Sequence, residues 1–214
     1  MRVCLVNEGK LLGLEGKLKE EFEILVISPI GRVSYTNEIE GRSGRFRHVA
    51  RLSSDFQCIV LCGCTTEAKG IVRKSVLVAD RGKLVGISDM THSVDHAYNA
   101  GGALRLYETA LGKIGVLVGE DLFFPETMKL FSDSGADVVF SIVNAMRGVE
   151  RNVLCTYSFC YGIPVCFVAD RYSMISSVDG TIAFSTANSP EYYALELKNE
   201  YHLVETRQKG FFRE

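Results

Sequence analysis

The sequence lacks an excess of charge of either sign, a long hydrophobic run and a basic leader. Lysine and arginine number 24 and aspartate and glutamate 26, for a net charge of -2, so nothing favours a nucleic-acid or acidic-membrane partner. The longest apolar runs, Ile59–Cys64 and Val138–Val143, have strand length and are too short to cross a bilayer. Residues 1–7 follow a strand pattern without the regions of a signal peptide. These absences predict a cytoplasmic protein without nucleic-acid or membrane partners.

Internal repeats and linkers rich in proline or serine are also missing. The 214 residues are 47% apolar, which is enough to bury one substantial core. We therefore predict one domain over residues 1–214, in which residues 198–214 form a polar C-terminal tail with Phe211 and Phe212 exposed.

The seven cysteines lie mostly inside apolar strand or helix patterns, which predicts reduced core thiols. Cys62 and Cys64 form a pair within a strand pattern, and no second pair follows at zinc-site spacing. His92 and His96 are four residues apart in a polar loop. This spacing leaves a metal site open, but a loop at the rim of a pocket is the favoured interpretation. We predict no metal and no cofactor.

Hydrophobic periodicity and turn signals predict one mixed α/β domain, with two central sheets and helices on their outer faces. The predicted strands are Arg2–Asn7, Ile24–Ser28, Cys58–Cys64, Ile71–Ala79, Lys83–Ile87, Leu104–Glu108, Lys113–Val118, Val138–Val143, Pro164–Ala169, Ser173–Val178, Ile182–Phe184 and Tyr192–Leu197. The predicted helices are Glu8–Phe22, Arg45–Ser54, Pro125–Ser134 and Glu150–Tyr161, with polar loops over 29–44 and 88–103.

The most informative stretch is Lys113–Glu126. An apolar run from Ile114 to Val118 ends abruptly at Gly119, and Pro125-Glu126 then has the form of a helix start. The stretch therefore predicts a strand, a tight elbow and a helix. In layered α/β folds, chemistry tends to occur at the carboxyl ends of strands.

This stretch resembles the nucleophile motif of the nitrilase, or carbon–nitrogen hydrolase, superfamily. The shared residues are Lys113-Ile114-Gly115-Val116, Asp121 and Phe124-Pro125-Glu126. The hairpin Asp80–Gly86 and the strand Ser173–Ile182 resemble two further segments of that family. The resemblance covers nearly the whole chain. It implies a four-layer α-β-β-α sandwich.

The same resemblance identifies four positions at which the family carries reactive or supporting groups. Aligned on the motifs, the general-base glutamate corresponds to Ile30, the oxyanion-stabilising lysine to Met90, the supporting glutamate to Ala103 and the nucleophilic cysteine to Gly119. All four substitutions replace a reactive group by an inert one. Since these groups have little value without one another, their joint loss implies a catalytically inactive, vestigial site.

Two functions follow from this comparison. The first is a pseudoenzyme that acts as a small-ligand binding, regulatory or assembly subunit. A third option, a remnant whose only property is its stability, is not distinguished from the first by one sequence. The alternative is an amidase-type hydrolase with a non-standard site. Glu120, Asp121, His92 and Asn144 are possible pocket-lining residues. Adjacent side chains on a strand or turn point in opposite directions, so Glu120 and Asp121 need not share a site.

The resemblance also predicts a partner. Nitrilase-fold proteins dimerise through the helices of one outer face, here Pro125–Ser134 and Glu150–Tyr161. Val153, Phe159 and Tyr161 exceed the apolar content that one core-facing stripe needs. We therefore expect a homodimer, and an unidentified small molecule as the other partner.

Overall fold

Two mixed β-sheets lie face to face at the centre of the molecule. The structure is a computed structural model and describes residues 1–197. The strands are β1 (Arg2–Val6), β2 (Ile24–Ile27), β3 (Arg32–Ser34), β4 (Ile59–Ala68), β5 (Ile71–Asp80), β6 (Lys83–Asp89), β7 (Leu106–Thr109), β8 (Gly112–Val118), β9 (Val138–Ile142), β10 (Val165–Ala169), β11 (Tyr172–Ser176), β12 (Ile182–Thr186) and β13 (Glu191–Ala194). The helices are α1 (Tyr35–Ile39), α2 (Arg45–Asp55), α3 (Pro125–Asp133) and α4 (Glu150–Tyr161).

The first sheet has the order β13-β1-β2-β4-β5-β6, with β3 pairing β4 beside this path, and the second has the order β12-β11-β10-β9-β8-β7. Strands β1, β2 and β4 run parallel, as do β8, β9 and β10 in the other sheet. Antiparallel strands flank each parallel block, as hairpins everywhere except at β1, whose antiparallel neighbour is the distant β13. The carboxyl ends of both parallel blocks carry the loops that build the site described below.

Alternation along the strands divides the core into three layers. Val3 and Leu5 pack between the sheets, whereas Cys4 and Val6 pack on the outer face of the first sheet, beneath α2 and residues 8–23. On the outer face of the second sheet, α3 and α4 contribute a separate apolar cluster. The predicted α-β-β-α sandwich, with two mixed sheets flanked by helices, is therefore confirmed.

Three local predictions are wrong. Residues 8–22 form turns rather than a helix, because Gly9, Gly13 and Gly16 disfavour one, although Leu11 and Leu14 are still buried. The supposed loop over 29–44 contains β3 and α1.

The third concerns Cys155 and Cys160, which are partly exposed rather than in the core. All seven cysteines are free, and the other five are buried as predicted. The predicted tail at 198–214, with Phe211 and Phe212, lies outside the described residues. Within residues 1–197, no helix has the length and apolar character required to cross a membrane.

Candidate functional site

The elbow after β8 is the centre of the candidate site. Strand β8 ends at Val118, residues Gly119–Phe123 form a 3-10 helix, and Pro125 begins α3 in its first turn. Gly119 has a φ of +57°, a left-handed conformation that favours glycine. The predicted order of strand, elbow and helix is therefore confirmed, with the sharp change of direction at Gly119.

Asp121 holds this elbow to the loop that follows β6. Its side chain is completely buried and accepts hydrogen bonds from the backbone N–H of Thr91 at 2.9 Å and of His92 at 2.8 Å. The hydroxyl of Thr91 donates to it at 2.8 Å, and Nδ1 of His92 lies 3.1 Å away. The His92 ring stacks on Phe124, with ring centroids 4.2 Å apart. These contacts give Asp121 and His92 a structural part in the elbow.

Glu120 points in a different direction and meets two cations. Nζ of Lys74, on β5, lies 2.6 and 2.8 Å from its two carboxylate oxygens. Nη2 of Arg147, in the loop before α4, donates to Oε1 at 3.1 Å. The Lys74 ammonium also lies 4.6 Å from the centroid of the Tyr98 ring. Adjacent carboxylates thus take part in separate networks.

The space beside Gly119 is already occupied. A Cβ atom built at this position would lie 2.9 Å from Sδ of Met90 and 3.0 Å from Cδ of Lys74, closer than ordinary packing allows. Met90 is itself completely buried. The structure therefore brings two of the sequence-predicted positions, Met90 and Gly119, close together. The Lys74 side chain packs against the same side of Gly119.

A cavity of about 190 Å³ opens next to this contact. It is lined by Lys74, Gly119, Glu120, Phe123, Val143, Asn144, Ala145, Met146, Arg147 and Glu150. Of the proposed pocket-lining residues, Glu120 and Asn144 line it. Asn144 also borders a larger cleft of about 670 Å³, whose other lining residues include Lys10, Pro29, Asp170 and Arg171. The small cavity and the larger cleft therefore adjoin.

Two of the sequence-predicted positions lie elsewhere. Ile30 lines a different cavity, of about 610 Å³, with Arg45 and His48. Nη1 of Arg45 donates to the Ile30 carbonyl oxygen at 3.0 Å. Ala103 is exposed in the loop before β7. Ile30 and Ala103 therefore do not line the cavity beside Gly119.

No buried cysteine supplies a reactive thiolate. Burial raises the pKa of Cys64 to about 12, with a smaller contribution from the nearby Asp89 charge. Burial also raises the pKa of Cys62 and Cys166 well above the ordinary value. A thiol with a raised pKa is protonated at neutral pH and is a weak nucleophile. These cysteines belong to the core, as their sequence patterns predicted.

Sequence reasoning missed Lys74, Arg147 and Glu150. Glu150 is completely buried and accepts hydrogen bonds from the backbone N–H of Arg147 at 2.5 Å and of Gly148 at 2.7 Å. A signal was available for Lys74, because it directly precedes the mostly apolar run Ser75–Ala79 in a strand pattern. A lysine that is buried together with such a run needs a partner for its charge. Arg147 and Glu150 lie in ordinary polar sequence and gave no comparable signal. Over residues 1–197, no group of three or more His, Cys, Asp or Glu side chains could hold a metal ion.

Comparison with known proteins is consistent with this geometry. The sequence profile of a family described as "Carbon-nitrogen hydrolase" matches residues 21–192. A protein of Schizosaccharomyces pombe named as a probable nitrilase is 24% identical over 114 residues, covering 50% of this chain and 42% of its own length. The chain thus aligns with less than half of that relative.

Solved structures share the fold. A nitrilase-superfamily member of branch 10 from Saccharomyces cerevisiae has a TM-score of 0.75 at 15% identity, covering 100% of this chain and 95% of its own. A carbon-nitrogen hydrolase from Helicobacter pylori also gives 0.75, at 15% identity, with 99% and 94% covered. A mutant of an amidase from Nesterenkonia gives 0.75 at 13% identity, with 99% and 95% covered. Because the family profile matches most of the sequence, the chain belongs to the carbon-nitrogen hydrolase family.

Proposed function

We propose that this protein is a non-catalytic member of its family that binds a small molecule in the cavity beside Gly119. The observation that carries the proposal is the environment of Gly119. The residue has no side chain, and the volume that a nucleophile would need is taken by Met90 and Lys74. Acyl transfer through this position would require both a new side chain and displacement of two neighbours.

The other aligned positions support the same proposal. Met90 offers a thioether where the resemblance places a lysine, and a thioether cannot stabilise an oxyanion electrostatically. Ile30 and Ala103 offer no carboxylate and lie away from the cavity. Raised pKa values of the core thiols argue against a relocated cysteine nucleophile.

The second candidate is a hydrolase of carbon–nitrogen bonds with a non-standard site. Taken alone, the comparisons favour it over the non-catalytic proposal, because the family is described as a hydrolase and similar proteins are named as a nitrilase and an amidase. Lys74 and Glu120 place an ammonium and a carboxylate on one cavity wall. A carboxylate can act as a general base, and an ammonium can stabilise developing negative charge.

Ammonia release separates the two candidates. Purified protein at high concentration is incubated with small amides, nitriles and N-carbamoyl compounds, beside an active nitrilase-fold enzyme and a heat-killed blank. We expect release at the level of the blank. Release above the blank that is lost in Glu120→Gln and Lys74→Met, but kept in Glu126→Gln on the exposed start of α3, would overturn the non-catalytic proposal in favour of the hydrolase.

We also propose a homodimer through the outer face of α3 and α4. Leu130 and Phe159, one from each helix, leave 54% and 39% of their surface exposed, and Val153 on α4 is half-buried. A mass measured by light scattering should correspond to two chains and should fall to one in Leu130→Glu. Leu12→Glu, at an exposed leucine more than 100 residues before α3 in the sequence, is the control. One chain at every concentration would contradict the proposal.

The location in the cytoplasm is likewise a proposal. It is supported by the seven free thiols, since reducing compartments keep thiols unpaired. Localisation of a tagged protein by microscopy would test it.

A further inference from the structure

Arg147 carries hydrogen-bonding capacity that its contacts do not use. A guanidinium has five N–H donors. Within residues 1–197, the side chain of Arg147 donates one hydrogen bond, from Nη2 to Glu120. The guanidinium carbon lies 5.1 Å from the centroid of the Phe123 ring, which holds the group at the cavity wall, and 55% of the side chain is exposed. The remaining donors are therefore accessible to a molecule that enters the cavity.

The other charges of the cavity are already matched. The two oxygens of Glu120 accept hydrogen bonds from Lys74, and the two oxygens of Glu150 accept from the backbone of Arg147 and Gly148. Glu150 also lies in the first turn of α4, where the helix dipole stabilises a negative charge. Arg147 is thus the lining cation with several accessible donors to spare, because 55% of its side chain is exposed against 11% for Lys74. The Asn144 side chain, exposed on the same wall, can supply an amide N–H beside it.

The rest of the wall is apolar and the volume is small. Phe123, Val143 and Met146 line the cavity together with the polar groups. At about 30 Å³ for each water-sized volume, a cavity of about 190 Å³ holds a ligand of only a few non-hydrogen atoms. Glu120 and Glu150 repel a dianion more strongly than a single carboxylate, and a single carboxylate can pair with a guanidinium in a bidentate way.

We propose that Arg147, assisted by Asn144, binds the carboxylate of a short-chain monocarboxylic acid, whose alkyl part lies against Phe123, Val143 and Met146. This inference rests on the proposed ligand-binding function and names its ligand class. It differs from a general affinity for anions, because it requires one negative charge, a short apolar chain and the arginine in this loop.

The test compares a carboxylate with its neutral counterpart of the same shape. Propionate and propionamide are titrated into the full chain at constant sodium and ionic strength, and binding is followed by calorimetry and by amide NMR shifts. We expect saturable propionate binding with shifts at residues 144–147, and propionamide binding at least about tenfold weaker, the size expected for losing a hydrogen bond to a charged group.

Variants locate the binding. Arg147→Gln should weaken propionate binding about tenfold or more while leaving the melting temperature near that of the wild type. Arg151→Gln, four residues further along and outside the cavity lining, should change the affinity for propionate by less than about twofold, because exposed charges interact weakly in salt. Loss of binding in Arg171→Gln instead would move the site to the larger cleft and overturn the assignment to Arg147.

The remaining outcomes are also decisive. Propionamide binding as tight as propionate, unchanged in Arg147→Gln, would overturn the carboxylate inference and leave the ligand-binding function standing. Absence of binding by both probes would overturn the inference. Release of ammonia from propionamide would instead overturn the non-catalytic function itself.

Discussion

Two adjacent carboxylates at the elbow show how differently the loop-anchoring and the cavity-lining parts of this site are built. Asp121 is completely buried and bonded to the backbone of Thr91 and His92, so it fixes one loop against another. Glu120, its neighbour, faces a cavity and pairs with Lys74 and Arg147. The first belongs to the motif shared with the family. The second forms an ion-pair network beside Gly119. The comparison teaches that neighbouring residues of one elbow can serve separate purposes, since Asp121 anchors a loop and Glu120 lines a cavity.

The substitution with the largest expected effect on stability removes the structural carboxylate. Asp121→Ala leaves the N–H groups of Thr91 and His92 without their acceptor, and we expect the free energy of unfolding to fall by about 3–5 kcal/mol. Urea unfolding measures it. Asp121→Asn is the matched control, which keeps one acceptor oxygen and should lose about half as much. A loss below about 1 kcal/mol would contradict the structural part given to Asp121.

The next test removes one partner of the cavity pair. Within residues 1–197, Lys74→Met leaves Glu120 paired with Arg147 alone, and we expect a loss of about 2–3 kcal/mol, below the usual range for a broken buried pair because Arg147 remains. The double variant Lys74→Met, Glu120→Leu should recover to within about 1 kcal/mol of the wild type. Urea unfolding of the wild type, Lys74→Met, Glu120→Leu and the double variant gives the coupling energy between the two side chains. Strictly additive losses would show that the two charges do not depend on each other.

A third test restores a side chain at the elbow. Gly119→Cys must adopt a left-handed backbone and displace Met90 and Lys74, so we expect a loss of about 2 kcal/mol and ammonia release that stays at the blank. Gly119→Ala should cost about the same, which separates the backbone and packing cost from the thiol. Activity in the cysteine variant would show that the remaining groups still form a working site.

The smallest test concerns the core thiols. Because burial raises the pKa of Cys64 from 9.0 to about 12, its stabilising contribution is complete below pH 9 and is lost as the pH rises toward 12. Between pH 8 and pH 10 the wild type should lose about 1.4 kcal/mol more than Cys64→Ala. Unfolding in urea at both pH values measures this difference, and equal losses would mean that the thiol ionises as freely as in the unfolded chain.

The sequence predicted features determined by neighbouring residues. The elbow is encoded between Val118 and Pro125, and α4 has the predicted bounds, with Gly162 at its end in a left-handed conformation at a φ of 65°. The Lys74–Glu120 and Arg147–Glu120 pairs were not predictable, since their members are 46 and 27 positions apart. Residues 8–22 illustrate a further limit of sequence patterns. Their leucines have helical spacing, yet several of them are buried in a segment that forms turns and not a helix.

The pairing of β1 has a consequence for how the chain is completed during synthesis. This strand lies between β2 and β13, with Arg2 opposite Ala194. One of its edges therefore stays open until nearly all of the described chain has left the ribosome. Contacts between residues so distant in sequence form slowly, and an open strand edge can pair with another chain in the meantime. The first strand of the described residues is thus among the last to be protected.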